Sequence, residues 1–140
     1  MDTKRLIWTD DLKLGLPAMD ADHRDLLDMC NQFLDAAQSG AAVPQLAALL
    51  STLILRTKAH FRAEEVMLDR HQYPALAIHR SEHERLVSEA EILLSRFRDD
   101  SRQADIENAV MDTATFLQTW LVEHIRKNDK PYRPFMMRLV

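Results

Sequence analysis

The sequence predicts an all-α protein: an up-down-up-down antiparallel four-helix bundle with a non-helical N-terminal arm. The chain of 140 residues contains only two glycines and five prolines, so it offers few turns and its elements must be long. Apolar residues recur at steps of three and four, which is the spacing of amphipathic helices. Short connections between long helices make neighbouring helices antiparallel.

Prolines and glycines divide the chain, because proline suits the first turn of a helix and glycine suits the position just past its end. The breaks fall at Pro17, Gly40, Pro44, Pro74, the polar stretch 98–103, and Pro131 with Pro134. The predicted helices are 20–38, 45–70, 75–97 and 104–128. Residues 1–19 form the arm, with Trp8 packing on the bundle, and 131–140 form a C-terminal extension. A length of 140 residues fits a single domain, 1–140.

Composition excludes several classes of protein. The net charge is −4 with acidic and basic residues interspersed, so neither nucleic acid nor an anionic membrane is an expected partner. The sequence shows no signal-peptide pattern and no apolar run of about 18 residues, which predicts a cytoplasmic protein. Cys30 is the only cysteine, which excludes an internal disulfide and a thiolate zinc site. It lies on an apolar stripe and is interpreted as a core residue.

Six polar residues lie on the apolar stripes of the predicted helices: His23, His60, Glu64, His79, His83 and His124. Burying such groups without partners costs about 1–3 kcal/mol each, against a typical domain stability of about 5–15 kcal/mol. One such histidine is usually a hydrogen-bonded core residue, but all four helices contribute, and antiparallel packing places the six in one layer. A metal centre would satisfy them together.

Two further residues have to be placed relative to that layer. Asp129 follows His124 by five residues, which in an ideal α-helix points it about 140° away. It reaches the same metal only if the helix ends or bends, and Asn128 and Pro131 are predicted to end it. His71 falls in the connection before Pro74 and is interpreted as a solvated loop residue.

Seven donors exceed the capacity of one ion, so the set predicts two. Five imidazoles and two carboxylates without a thiolate suit first-row metals such as iron, copper, nickel or zinc. If both carboxylates and an oxygen bridge the ions, a three-histidine ion is six-coordinate. A two-histidine ion is then five-coordinate, with one open position.

Five segments together resemble bacterial hemerythrin, from Trp8 to Asp129. They are DADH at Asp20–His23, HFRAEE from His60, YP at Tyr73, HRSEH at His79–His83 and WLVEHIRKND at Trp120–Asp129. The resemblance implies two non-haem iron ions with a bridging oxo or hydroxo group, in a four-helix bundle that binds O2 reversibly.

The resemblance also implies a role for each donor. It assigns His79, His83 and His124 to the saturated iron, His23 and His60 to the open iron, and Glu64 and Asp129 to both as bridges. The implied O2 pocket consists of Leu26, Phe61, Trp120, Leu121 and Ile125. The C-terminal extension is outside the pattern, and its Phe135, Met136, Met137 and Leu139 are expected to pack on the bundle or contact a partner.

The expected function is O2 storage, delivery or sensing by a monomer or small oligomer that is not an enzyme, with an unidentified protein as O2 acceptor or redox partner. The chain has no Glu-x-x-His pair of the kind found in ferritin-like proteins, which favours O2 carriage. The alternatives are a di-iron peroxidase, oxidase or NO-handling enzyme at the same open iron, and an interaction module that responds to O2 or redox state.

Overall fold

The computed structural model describes residues 4–97 and 102–138, and these residues form helices without any strand. Four long helices are α1 (Pro17–Gln38), α2 (Val43–Arg70), α3 (Leu76–Ser95) and α4 (Gln103–His124), and a short α5 covers Arg133–Met137. The helix pairs α1–α2, α2–α3, α3–α4 and α1–α4 are all in contact, which closes a ring. The predicted four-helix bundle is confirmed.

The apolar stripes of the long helices meet in one core. Phe33 on α1, Leu50 on α2, Leu86 on α3 and Leu117 on α4 are all buried. Each fully buried side chain of this kind contributes about 1.5–3 kcal/mol relative to an exposed one. None of the described helices combines the length and apolarity needed to cross a lipid bilayer.

Two residues in the left-handed backbone region end the first two helices. Gly40 has φ +73° and directly follows the turn at Ser39, and the Ala41 N–H donates to the Ala36 carbonyl at 2.9 Å. Gln72 has φ +56°, and the Tyr73 N–H donates to the Leu68 carbonyl at 2.9 Å. Both are Schellman endings, in which an N–H group donates to the free carbonyl five residues earlier and the chain reverses direction.

The N-terminal arm differs from the prediction in being partly helical. It contains one 3-10 turn at Asp10–Leu12, and α1 begins at Pro17, three residues before the predicted start. The side chain of Asp20 accepts the Leu14 and Gly15 N–H groups at 2.8 and 3.1 Å, which fixes the chain as it enters α1. Trp8 is partly buried against the core, as predicted, and the Arg24 guanidinium lies 4.9 Å from its ring centroid.

The C-terminal end also differs from the prediction, since Pro131 and Pro134 do not end the helical path. A π-helical turn at Ile125–Asp129, a 3-10 turn at Lys130–Tyr132 and α5 follow α4 without a break. Each proline stands in the first turn of a new segment, where its missing N–H leaves no hydrogen bond unmade. Met136 is buried and Phe135 packs against the core, whereas Leu139 lies outside the described residues.

Candidate metal centre

The π-helical turn after α4 determines where Asp129 lies. In an α-helix, Asp129 and His124 would point in directions about 140° apart. The π-helix of Ile125–Asp129 has wider turns, which bring residues five apart close to the same face. The Asp129 Oδ1 atom thus lies 3.2 Å from His124 Nε2. The sequence prediction that the helix ends at Asn128 is wrong, because it widens there instead.

The seven predicted donors converge in one buried layer. None of them is more than 4% exposed, and all four long helices and the π-helical turn contribute. Ligand atoms of one subset lie within 4.8 Å of one another: Glu64, His79, His83, His124 and Asp129. A second subset with the same property consists of His23, His60 and Glu64.

The two oxygens of Glu64 face different histidines. Its Oε1 lies 2.5 Å from His79 Nε2 and 3.1 Å from His83 Nε2. Its Oε2 lies on the other side, 3.5 Å from His60 Nε2 and 3.9 Å from His23 Nε2. A carboxylate in this orientation offers one oxygen to each of two adjacent positions.

Asp129 divides its oxygens in the same way. Oδ1 lies 3.0 Å from His79 Nε2 and near His124, whereas Oδ2 lies 3.1 Å from His23 Nε2. Both carboxylates therefore span the same two groups of imidazoles, three on one side and two on the other.

Most of the buried ligand atoms of this layer, though not His79 Nε2 or the Glu64 oxygens, lack hydrogen-bond partners among the described residues. These atoms include Nε2 of His23, His60, His83 and His124 and both oxygens of Asp129. Several imidazole nitrogens lie 3.0–3.2 Å from an Asp129 oxygen without the alignment of a hydrogen bond. On an octahedral ion, neighbouring ligands at about 2.1 Å from the metal stand at right angles and are about 3.0 Å apart. The residues therefore fit a pair of metal ions.

The electrostatics of the cluster favour added positive charge. Burial opposes ionisation of Glu64, but the adjacent imidazoles of His60, His79 and His83 hold its pKa well below the usual value. Burial alone would lower the pKa of His79, but the adjacent carboxylates of Asp129 and Glu64 raise it to about 9. The carboxylates thus stay ionised and attract cations, which can be protons or metals.

Three side chains outside the predicted set contact the Nδ1 atoms of three of the five histidines. His60 Nδ1–H donates to Asp22 at 2.9 Å, and His83 Nδ1–H donates to Glu65 at 2.7 Å. The side-chain amide of Asn128 lies 3.0 Å from His124 Nδ1. Such partners orient an imidazole and direct its Nε2 toward a metal.

Aromatic and aliphatic residues form the apolar surroundings of the cluster. Phe61 stacks on His83 with ring centroids 3.7 Å apart, and its centroid is 5.3 Å from that of His124 and 6.2 Å from that of Trp120. All five residues predicted to line the pocket are at most 6% exposed: Leu26, Phe61, Trp120, Leu121 and Ile125. Their contact with O2 remains a prediction.

Sequence reasoning placed the remaining reactive residues correctly but did not identify every contact at the cluster. His71 is exposed and belongs to neither donor subset. Cys30 is fully buried, which raises the pKa of its thiol to about 12 and makes it unreactive.

Asp22 and Glu65 could have been found, because each is adjacent in sequence to a donor. Tyr132 donates to Glu64 at 3.0 Å from outside the recognised segments, and no spacing signals it.

Comparison with known proteins agrees with this geometry. Residues 14–136 match the model of the hemerythrin HHE cation binding domain. A bacteriohemerythrin of Methylococcus capsulatus is 33% identical over 82% of this chain and 83% of its own length. Another, from Stenotrophomonas maltophilia, is 29% identical over 91% of this chain and 78% of its own length. A crystal structure of wild-type hemerythrin superposes with a TM-score of 0.79 at 31% identity, covering 94% of this chain and 97% of that one. The chain therefore belongs to the hemerythrin HHE cation binding domain family.

Proposed function

We propose that the seven buried donors hold two iron ions and that this centre binds O2 reversibly. An O2-binding function and a non-haem di-iron centre follow from family membership. The assignment of individual residues is our proposal. The observation that carries it is the division of Glu64 and Asp129 oxygens between two groups of imidazoles.

The proposal assigns each donor according to this division. His79, His83 and His124 would hold one ion, His23 and His60 would hold the other, and Glu64 and Asp129 would contribute to both. Because both carboxylates would be shared, the side of His23 and His60 would contribute one ligand fewer, which would leave room for O2 there. The bound iron pair supplies this open position and the electrons that reversible O2 binding requires.

The chain itself contributes orientation and exclusion of water. Asp22 and Glu65 orient His60 and His83, so that Nε2 of each faces the carboxylates. Phe61 and Trp120 cover the cluster with buried apolar surface. An apolar cover slows the entry of water and protons to the centre, which would favour reversible O2 binding there.

A peroxidase, oxidase or NO-handling enzyme at the same centre is not favoured, because hemerythrins are oxygen-binding proteins rather than enzymes. Storage or delivery of O2 by a cytoplasmic monomer or small oligomer is the form of the function that we propose. A protein that accepts O2 or exchanges electrons with the centre belongs to the same proposal.

The test is anaerobic reconstitution with Fe(II), exposure to O2 and then removal of O2. We expect two irons per chain and a visible spectrum that appears with O2 and disappears on its removal. Conversion in one direction only, with release of one H2O2 per centre, would contradict reversible binding.

Two histidine variants give a matched control. His79→Ala removes a donor that lies close to both carboxylates, and we expect the iron content to fall below two per chain. His71→Ala removes an exposed histidine outside the cluster and should keep two irons and the reversible spectrum. Equal iron content in the two variants would contradict the assignment.

A further inference from the structure

The segment after the π-helical turn brings a phenol into contact with the donor cluster. Tyr132 is completely buried, and its hydroxyl donates to Glu64 Oε2 at 3.0 Å. Among the described residues it is the one hydrogen-bond partner of Glu64 that is not a histidine. Its ring centroid lies 5.6 Å from that of His79.

Contacts on both sides fix the position of this phenol. The Tyr73 ring lies 6.1 Å from the Tyr132 ring and 5.3 Å from that of Phe135, centroid to centroid. Next to Tyr132, Arg133 Nε donates to the Leu14 carbonyl at 2.9 Å, which ties the segment to the N-terminal arm. The hydroxyl is therefore held against Glu64 by the fold.

The phenol keeps its proton in this environment. A phenol ordinarily titrates at about pH 10, so a tyrosine hydroxyl carries its proton at neutral pH. A protonated hydroxyl remains a hydrogen-bond donor to the carboxylate under all ordinary conditions.

The Glu64 oxygen that accepts this hydrogen bond, Oε2, is the one on the side of the two-histidine group. Glu64 Oε2 points toward His60 and His23, whereas Oε1 points toward His79 and His83. We propose that Tyr132 is a positioning residue that holds Oε2 for the metal ion at the His23 and His60 side. This inference rests on the proposed function and adds a residue that acts on one of its two ions.

The test compares the unsubstituted chain with Tyr132→Phe and Tyr73→Phe, each prepared without iron and titrated anaerobically with Co(II) in a calorimeter. Both changes remove a single hydroxyl, but of these two only the Tyr132 hydroxyl, and not that of Tyr73, makes a hydrogen bond to another described residue. The loss of an outer partner of a ligand typically weakens metal binding 10–100-fold. We expect Tyr132→Phe to raise one of two dissociation constants by about 10-fold or more, and Tyr73→Phe to change neither.

A third variant identifies the affected step. His60→Ala removes a donor from the two-histidine side, so the step that it abolishes should be the step that Tyr132→Phe weakens. A purely structural role would weaken both steps and lower the melting temperature of the iron-free chain. That result, or an unchanged isotherm for Tyr132→Phe, would overturn the proposal for Tyr132 and leave the di-iron function intact. Fewer than two Co(II) per unsubstituted chain would contradict both.

A second measurement does not depend on Tyr132→Phe folding. The chain has two tyrosines, so Tyr73→Phe labelled with 3-fluorotyrosine carries one fluorine, at Tyr132. During a Zn(II) titration, we expect its ¹⁹F resonance to shift at the step that His60→Ala abolishes. A resonance that shifts only at the other step, or not at all, would overturn the inference.

Discussion

At one end of the bundle the interior between the helices is apolar, whereas at the other it consists of imidazoles and carboxylates. The apolar end includes Phe33, whose ring meets that of Phe97 edge-on at 6.3 Å, and the buried Leu46 and Ile106. The ligand end buries seven donors and surrounds them with outer hydrogen-bond partners. The same helices pass through both ends.

The difference shows what each kind of interior needs. Apolar side chains stabilise the bundle simply by being removed from water. Buried donors destabilise it unless something satisfies them, and the unpartnered atoms of the cluster show that other side chains do not. The ligand end should therefore depend on metal for its stability, and the apolar end should not.

The largest effect should come from removing the metal. Each ion present at about 100 times its dissociation constant adds about 2.7 kcal/mol, so two ions add about 5 kcal/mol. At roughly 2–4 °C per kcal/mol for a chain of this size, chelation should lower the melting temperature by roughly 10–20 °C. Differential scanning calorimetry with and without iron measures this. A difference of less than about 3 °C would mean that metal does not stabilise the ligand end.

A cavity at the apolar end should lower stability without affecting metal. Leu50 is fully buried and lies ten residues before His60 on α2. Leu50→Ala should cost about 2–5 kcal/mol in the free energy of unfolding and keep two irons per chain. The matched control, Leu55→Ala, changes a leucine that is 63% exposed and should cost less than about 0.5 kcal/mol. Loss of iron from Leu50→Ala would show that the two ends are coupled.

A substitution next to the cluster should have the opposite effect: it should weaken metal binding rather than lower the stability of the bundle. Glu65 accepts from His83 Nδ1, so Glu65→Gln replaces a charged partner with a neutral one. Iron affinity should fall about 10–100-fold, as measured by competition with a chelator. Glu84→Gln, an exposed glutamate on α3, should leave the affinity unchanged. Equal affinities for the two variants would argue against a role for Glu65.

The smallest effect is expected at a buried polar residue that needs no metal. Asn31 is 4% exposed, and its amide accepts the Leu6 N–H at 2.7 Å and donates to the Leu6 carbonyl at 2.9 Å. Asn31→Ala should cost about 1–2 kcal/mol, because it leaves the backbone groups of Leu6 without partners. Denaturant unfolding should show this loss equally with and without iron, and a loss seen only with iron would contradict it.

The sequence by itself determined the fold class, the four helices and the inward direction of the donors. Helical periodicity sets which residues face the core, and His60 and Glu64 share the stripe of Leu53 whatever the neighbouring helices do. The joint presence of donors on all four stripes indicated two metal ions, since isolated polar residues cannot be buried at such cost.

Tertiary structure decided how Asp129 and Tyr132 reach the cluster. An α-helical extrapolation points Asp129 away, and the π-helical turn that corrects it is not visible in the spacing. The contact between Tyr132 and Glu64 joins residues 68 positions apart. It depends on how Pro131 and Pro134 continue the helical path, and local sequence preference cannot specify a contact formed by packing across the bundle.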